Sequence, residues 1–170
     1  MKLFNTFTGT KEEFATVVEG KVLMYVCGIT PYAPAHIGHA MSAIAFDTLR
    51  RYLEFKGYEV RHVQNFTDID DKMIGAAARD NLPVSQLAER NIADFHRQMD
   101  AFNVSRAHFY PRATEEIPKI VDMVQALENS GLAYCVDGDV YFRVRQDANY
   151  GTLSHRSIDT LISGARVELD

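Results

Sequence analysis

Cys27 stands near the end of the apolar run "KVLMYVCG", and a short proline-bearing stretch separates it from the tetrad His36-Ile37-Gly38-His39. A thiolate binds soft metals or attacks electrophiles, while imidazoles offer donors to anions. If the two histidines open a helix that follows a parallel strand, its first N–H groups and its dipole face an anion at the same place. That combination is a nucleotide-phosphate clamp, with both rings stabilising charge as it builds during phosphoryl chemistry. Gly38 would remove a side chain where a base or sugar must come close. The plain alternative is a pair of surface histidines at a helix start. Cys27 has three readings by residue type: a small buried hydrophobe, a nucleophile, or one ligand of a zinc. One thiolate does not complete a zinc site, and no Cys-x-x-Cys or His-x-x-x-His partner accompanies it. In "NFTDIDDK" the carboxylates Asp68, Asp70 and Asp71 are spaced to cap a helix, and could also hold an amine.

These groups need a scaffold to meet. "KVLMYVCG" reads as a buried strand from Lys21, closed by Gly28, and "TPYAPA" as a loop because it carries two prolines. A helix is expected from Ile37 to Lys56, with Ile37, Met41, Ile44, Ala45, Leu49, Tyr52 and Leu53 forming its apolar face and Gly57 ending it. "YEVRHVQN" alternates as a second strand, which makes a βαβ unit, a parallel sheet and a right-handed crossover. Leu87, Ile92, Phe95, Met99 and Phe102 mark the inner side of a long amphipathic helix. Another helix is expected after Thr114, with Glu115 and Glu116 at its positive end and Gly131 beyond its last turn. "LAYCVDGDVYFRV" reads as a hairpin around Asp137-Gly138, and the polar tail after it closes on no element, as though the chain stopped mid-structure.

Composition narrows the class. With 46% hydrophobic and 24% charged residues, the 170-residue chain has the make-up of a folded domain rather than a disordered segment. No apolar run approaches the ~20 residues of a membrane span, and no signal-peptide pattern opens the chain, so a cytoplasmic protein without membrane contact is expected. Two cysteines do not form a disulfide framework there. The net charge of −5 gives no overall basic field, although a local patch can still bind RNA.

The stretch from Tyr25 to Lys72 resembles the N-terminal catalytic region of cysteinyl-tRNA synthetases, a family of class I aminoacyl-tRNA synthetases. "HIGH" matches the signature of that class, and "YVCG", "FDTLRRYLEFKGYEV" and "NFTDIDDK" match the cysteine-specific member. "PRATEEIPKIVDMVQALENSGLAY", "DGDVYF" and "YGTLSHRSIDTLISGARVE" extend the likeness almost to the end. The resemblance implies an α/β fold: a Rossmann-like parallel sheet in residues 1–110, the first half of a class I nucleotide-binding fold. Residues 111–170 are then the start of a connective-peptide insertion containing a β-hairpin, cut short, which in this family lies towards the tRNA acceptor end.

The implied activity is ligation of cysteine to its tRNA, in which ATP with Mg2+ activates L-cysteine and the cysteinyl group then passes to tRNA(Cys). His36 and His39 take the catalytic, phosphate-binding role, with Gly28, Thr30 and Gly38 beside the ATP or adenylate. Gly28, Thr30, Ser42, Asn65 and Thr67 match positions around the cysteinyl part. Cys27 matches a zinc ligand whose metal binds the substrate thiol and so rejects serine, the other ligands being expected beyond Asp170. The family loop more often has aspartate where Ala33 stands, which implies one polar contact fewer. "CGITPY" is also similar to mycothiol ligases, while Lys72 and "YGTLSHRSIDTLISGARVE" favour the synthetases. A truncated, non-catalytic nucleotide- or RNA-binding paralogue and another nucleotidyltransferase are the remaining readings, and the chain alone is expected to be inactive or nearly so.

Overall fold

The computed structural model describes residues 1–160, arranged as two compact units: Thr16–Pro118, and a second made of Met1–Ala15 with Lys119–Asp170. The last eight residues of "YGTLSHRSIDTLISGARVE", from position 161 on, lie outside the described residues, as do the two that follow them.

The second unit begins with a hairpin that sequence periodicity does not announce. Strands β1 (Lys2–Asn5) and β2 (Thr10–Glu13) pair antiparallel, from Lys2 opposite Glu13 to Asn5 opposite Thr10. Every β2 residue is exposed, so its run "TKEE" carries no alternation to read.

In the larger unit, β3 (Lys21–Ile29), α1 (Ile37–Phe55) and β4 (Glu59–Phe66) form the expected βαβ unit, and β3 and β4 pair in parallel. The strand is not buried on both faces as expected: Val22 and Val26 are buried, whereas Leu23, Tyr25 and Cys27 are exposed. It also runs one residue past Gly28. A third extended segment lies along the far edge of β4. His108 donates to the His62 carbonyl, Gln64 to that of Phe109 and Phe66 to that of Pro111. Pro111 has no N–H to give, so it suits an outer edge and disguises the segment as a loop in sequence.

The helix α1 buries a different face from the one expected. Ala40, Asp47 and Leu53 are buried, while Ile37, Met41, Ile44, Ala45 and Tyr52 are exposed. The reason is polar. Asp47 accepts from Arg51 Nε at 2.8 Å and from the Ser105 N–H at 3.2 Å, and Arg51 donates to the Asn103 carbonyl. These bonds turn the Asp47 side of the helix towards residues 103–105, a choice that apolar spacing does not register.

Helices α2 (Asp71–Asp80) and α3 (Val84–Ala101) complete the core. Asp70 caps α2 through its Oδ1, which accepts from the N–H groups of Lys72 and Met73. Leu87, Ile92, Phe95 and Met99 of α3 are buried as expected, but Phe102 is the helix cap and stands exposed. With Ile29, Ala40, Phe66 and Met73 they make one continuous core, in which Phe66 stacks on Tyr110 and meets Phe95 edge-on.

After a short 3-10 turn at Ala113–Glu115, α4 spans Ile117–Asn129. Glu115 and Glu116 therefore precede α4 instead of occupying its first turn. Strands β5 (Ala133–Val136) and β6 (Asp139–Phe142) form the expected hairpin, with Asp137 and Gly138 both at positive φ (51° and 98°), as a tight two-residue turn requires. No helix among the described residues is long and apolar enough to cross a membrane.

Candidate active site

The C-terminal end of β3, the loop after it and the first turn of α1 carry most of the residues singled out above. His36 is the N-cap of α1 and uses its ring to make the cap: Nδ1 accepts from the Gly38 N–H at 3.1 Å. His39 answers from the third helical position, its Nδ1 accepting from the His36 N–H at 3.1 Å. The rings stack with centroids 3.9 Å apart. This reciprocal arrangement is a capping box built from two imidazoles in place of Ser and Glu.

The cap has chemical consequences. A ring nitrogen that accepts from an N–H holds no proton, so each neutral imidazole carries its proton on Nε2. Burial and the neighbouring His36 ring both push the His39 pKa below its usual range, which favours that neutral form. The helix-start amides are partly spent as well. Gly38 N–H is taken by His36 Nδ1, and the N–H groups of His39 and Ala40 go to the His36 carbonyl. An anion at this helix start would find few free amides and would depend more on the ring Nε2–H groups, unlike the expectation drawn from helix geometry alone. Gly38 has a local role too: a Cβ there would come within 2.9 Å of His36 Cε1, so the glycine makes room for the ring that caps it.

Cys27 is exposed, which removes the reading of it as a buried hydrophobe. Gly28 and Asn65 meet across the strand pair: Asn65 Oδ1 accepts from the Gly28 N–H at 2.8 Å and from the Tyr25 hydroxyl at 2.9 Å. Asn65 Nδ2 donates to Thr67 Oγ1 at 3.2 Å, and Thr67 N–H donates to the Ile29 carbonyl at 3.0 Å. Gly28, Asn65 and Thr67 are thus brought together. Thr30 is half-buried at the start of the loop, and its carbonyl accepts from Tyr32 N–H. Ser42 is exposed on α1, as is Ala33 in the loop.

Zinc is only partly accommodated. Among the described residues no three His, Cys, Asp or Glu side chains converge to hold a metal ion, so Cys27 supplies one donor and not a site.

Several anchoring residues escape sequence reading. Asn91 of α3 is 2% exposed and donates through Nδ2 to the Pro31 carbonyl at 2.7 Å, pinning the loop between Cys27 and His36. Lys72 Nζ lies 5.6 Å from the Tyr32 ring centre, a second tie to that loop. Asp68 does not cap a helix. It is buried, and accepts from both N–H and Oγ1 of Thr114, while Arg112 pairs with Glu89. The signal for Asn91 was present, since a polar residue sits among Leu87, Ala88, Ile92 and Phe95 on a core-facing stripe.

His62 on β4 is 5% exposed, and neither ring nitrogen has a hydrogen-bond partner. It lines a small cavity with Asp47, Gln64, His96 and Tyr110. Burial first, then the charges of Arg50 and His108, push its pKa below the usual value, against a smaller upward pull from Asp47.

Comparison with known proteins gives a concordant result. Residues 13–170 match the family model described as tRNA synthetases class I (C) catalytic domain. The cysteine–tRNA ligase of Dehalococcoides mccartyi (strain BAV1) is 54% identical over 170 residues, which cover 100% of this chain and 37% of that protein. That of Caldicellulosiruptor saccharolyticus is 56% identical over 168 residues, covering 99% and 36% respectively. The chain therefore spans little more than a third of the length of these relatives. Among solved structures, Mycobacterium tuberculosis methionyl-tRNA synthetase in complex with methionyl-adenylate superposes with a TM-score of 0.60 at 28% identity, covering 66% of this chain and 23% of that one. The Agrobacterium radiobacter K84 agnB2 LeuRS–tRNA–LeuAMS complex gives a TM-score of 0.60 at 20% identity over 69% of this chain and 16% of that one, a likeness of fold.

Proposed function

The chain belongs to the class I (C) tRNA synthetase catalytic-domain family, and from that premise we propose that it serves a cytoplasmic cysteine–tRNA ligase acting on L-cysteine, ATP with Mg2+ and tRNA(Cys). Residues 1–110 belong to the Rossmann-like catalytic domain, and residues 111–170 begin the connective-peptide insertion. In the first step the cysteine carboxylate attacks the α-phosphorus of ATP, the bond to the bridging oxygen breaks, and pyrophosphate leaves. In the second, the terminal ribose hydroxyl of the tRNA attacks the activated carbonyl and AMP departs.

His36 and His39 serve the first step as Nε2–H donors to phosphate oxygens, where negative charge grows on the leaving group. The observation that carries this reading is the reciprocal cap, which spends both Nδ1 atoms on the backbone and leaves both Nε2 protons for a ligand. Gly28, Thr30 and Gly38 contribute to the ATP or adenylate side; Gly28, Thr30, Ser42, Asn65 and Thr67 frame the cysteinyl part. Cys27 serves as one thiolate ligand of a zinc, with the remaining ligands outside the described residues. The chemistry a zinc would supply there, if Cys27 and further ligands held it, is affinity for a thiol over a hydroxyl, and so for cysteine over serine.

The test is cysteine-dependent ATP–pyrophosphate exchange by a protein of the relatives' length that carries this chain. Exchange is expected with cysteine and not with serine, lost in Cys27→Ser and lowered roughly a hundredfold in His39→Ala. Absence of exchange in the parent protein would overturn the reading.

A further inference from the structure

Strands β3 and β4 run in step from Lys21 opposite Glu59 to Val26 opposite Gln64, and pairing resumes at Ile29 opposite Phe66. Three steps along β3 thus match two along β4, a bulge at Cys27-Gly28 facing Asn65. Unbroken alternation would leave Ile29 on the same face as exposed Leu23, Tyr25 and Cys27. Instead Ile29 returns to the core.

Asn65 holds this bulge. Both acceptor positions of its Oδ1 are committed, one to the Gly28 N–H and one to the Tyr25 hydroxyl, and one of its two amide hydrogens goes to Thr67 Oγ1. The close approach admits only glycine at position 28, since a Cβ there would lie 1.5 Å from the Asn65 carbonyl oxygen. A side chain spent in this way has a single N–H left for anything else.

We propose that Asn65 is a positioning residue for the cysteine end of the site, acting through Gly28 and Tyr25 to hold the bulge that presents Cys27, and not by gripping the amino acid. This deepens the proposed function and rests on Cys27 facing the substrate.

The experiment uses the chain with Cys135→Ser, so that Cys27 is its one thiol, and follows alkylation by iodoacetamide at fixed pH. Asn65→Asp keeps an oxygen for both donors and is expected to alkylate within about twofold of the parent. Asn65→Leu has similar size and no acceptor, and is expected to shift the rate by about fivefold or more with its circular dichroism intact. A smaller shift in Asn65→Leu, or an equal one in Asn65→Asp, overturns the proposal. If Asn65→Leu does not fold, amide exchange in the parent decides. Gly28 N–H is expected to exchange roughly tenfold or more slowly than an open amide, and unprotected exchange overturns the proposal. A protein without cysteine-dependent exchange would sink the functional reading while leaving the alkylation result standing, so the two failures are separable.

Discussion

Two exposed thiols sit on two differently built pieces of chain. Cys27, at the end of β3, is surrounded by contacts from far along the sequence: Asn65 to Gly28 spans 37 residues, Asp68 to Thr114 spans 46, and Asn91 to Pro31 spans 60. Cys135, on the β5–β6 hairpin, is framed by neighbours. Tyr134 pairs with Tyr141, the turn is Asp137-Gly138, and the Tyr141 hydroxyl donates to Asp139. The first region is assembled from several elements through polar groups, Asp68 and Asn91 buried and Asn65 half-buried, as a site that must hold a ligand in one geometry requires. The second, among the described residues, is a hairpin with most of its residues exposed and its named contacts local. The difference predicts that distant substitutions disturb the Cys27 end and leave the hairpin alone.

The largest effect should come from Phe66→Ala, which empties the centre of the packed unit. A cost of ~3–5 kcal/mol in denaturant unfolding is expected; a cost below ~1 kcal/mol would mean that the core does not support the strand end. Asn91→Ala is expected to cost ~1–3 kcal/mol, because it leaves the Pro31 carbonyl without its partner. It should also lower cysteine-dependent exchange at full saturation, and an unchanged exchange rate would detach α3 from the loop.

A smaller, pH-dependent effect is expected from His62. Burial holds its folded pKa below the ordinary 6.5, so the unfolded chain takes up the proton first on acidification. The stability contributed by neutral His62 is present above pH 6.5 and is lost as pH falls from there through the depressed folded value. His39 and His96 are depressed as well and add slopes of the same sign. His62→Phe should therefore flatten the pH dependence of the unfolding midpoint below 6.5 in part, and an unaltered slope would contradict the assignment. Smallest of all, Tyr134→Ala removes one exposed cross-strand ring pair, for at most ~1 kcal/mol, and is expected to leave exchange of the Gly28 amide untouched.

The same contrast governs what could be read in advance. The hairpin was legible because an Asp-Gly turn between alternating residues is a local signal. The β3–α1–β4 unit was legible from an apolar run, a proline loop and helical spacing. The face of α1 was not, because the Asp47–Arg51–Ser105 bonds that orient it join residues far apart in sequence. The 108–112 edge was hidden by Pro111, and β1–β2 by strands with little to bury. His36 and His39 were legible as a pair from their spacing. Their use of Nδ1 as mutual caps, and hence which proton they present, appears only once the backbone is in place.

That proton position is the most direct test of the account. Nitrogen-15 NMR of the imidazoles should find Nδ1 unprotonated and the hydrogen on Nε2 in both His36 and His39. A proton on Nδ1 of either ring would break the reciprocal cap, and with it the argument that this helix start presents a matched pair of donors to phosphate.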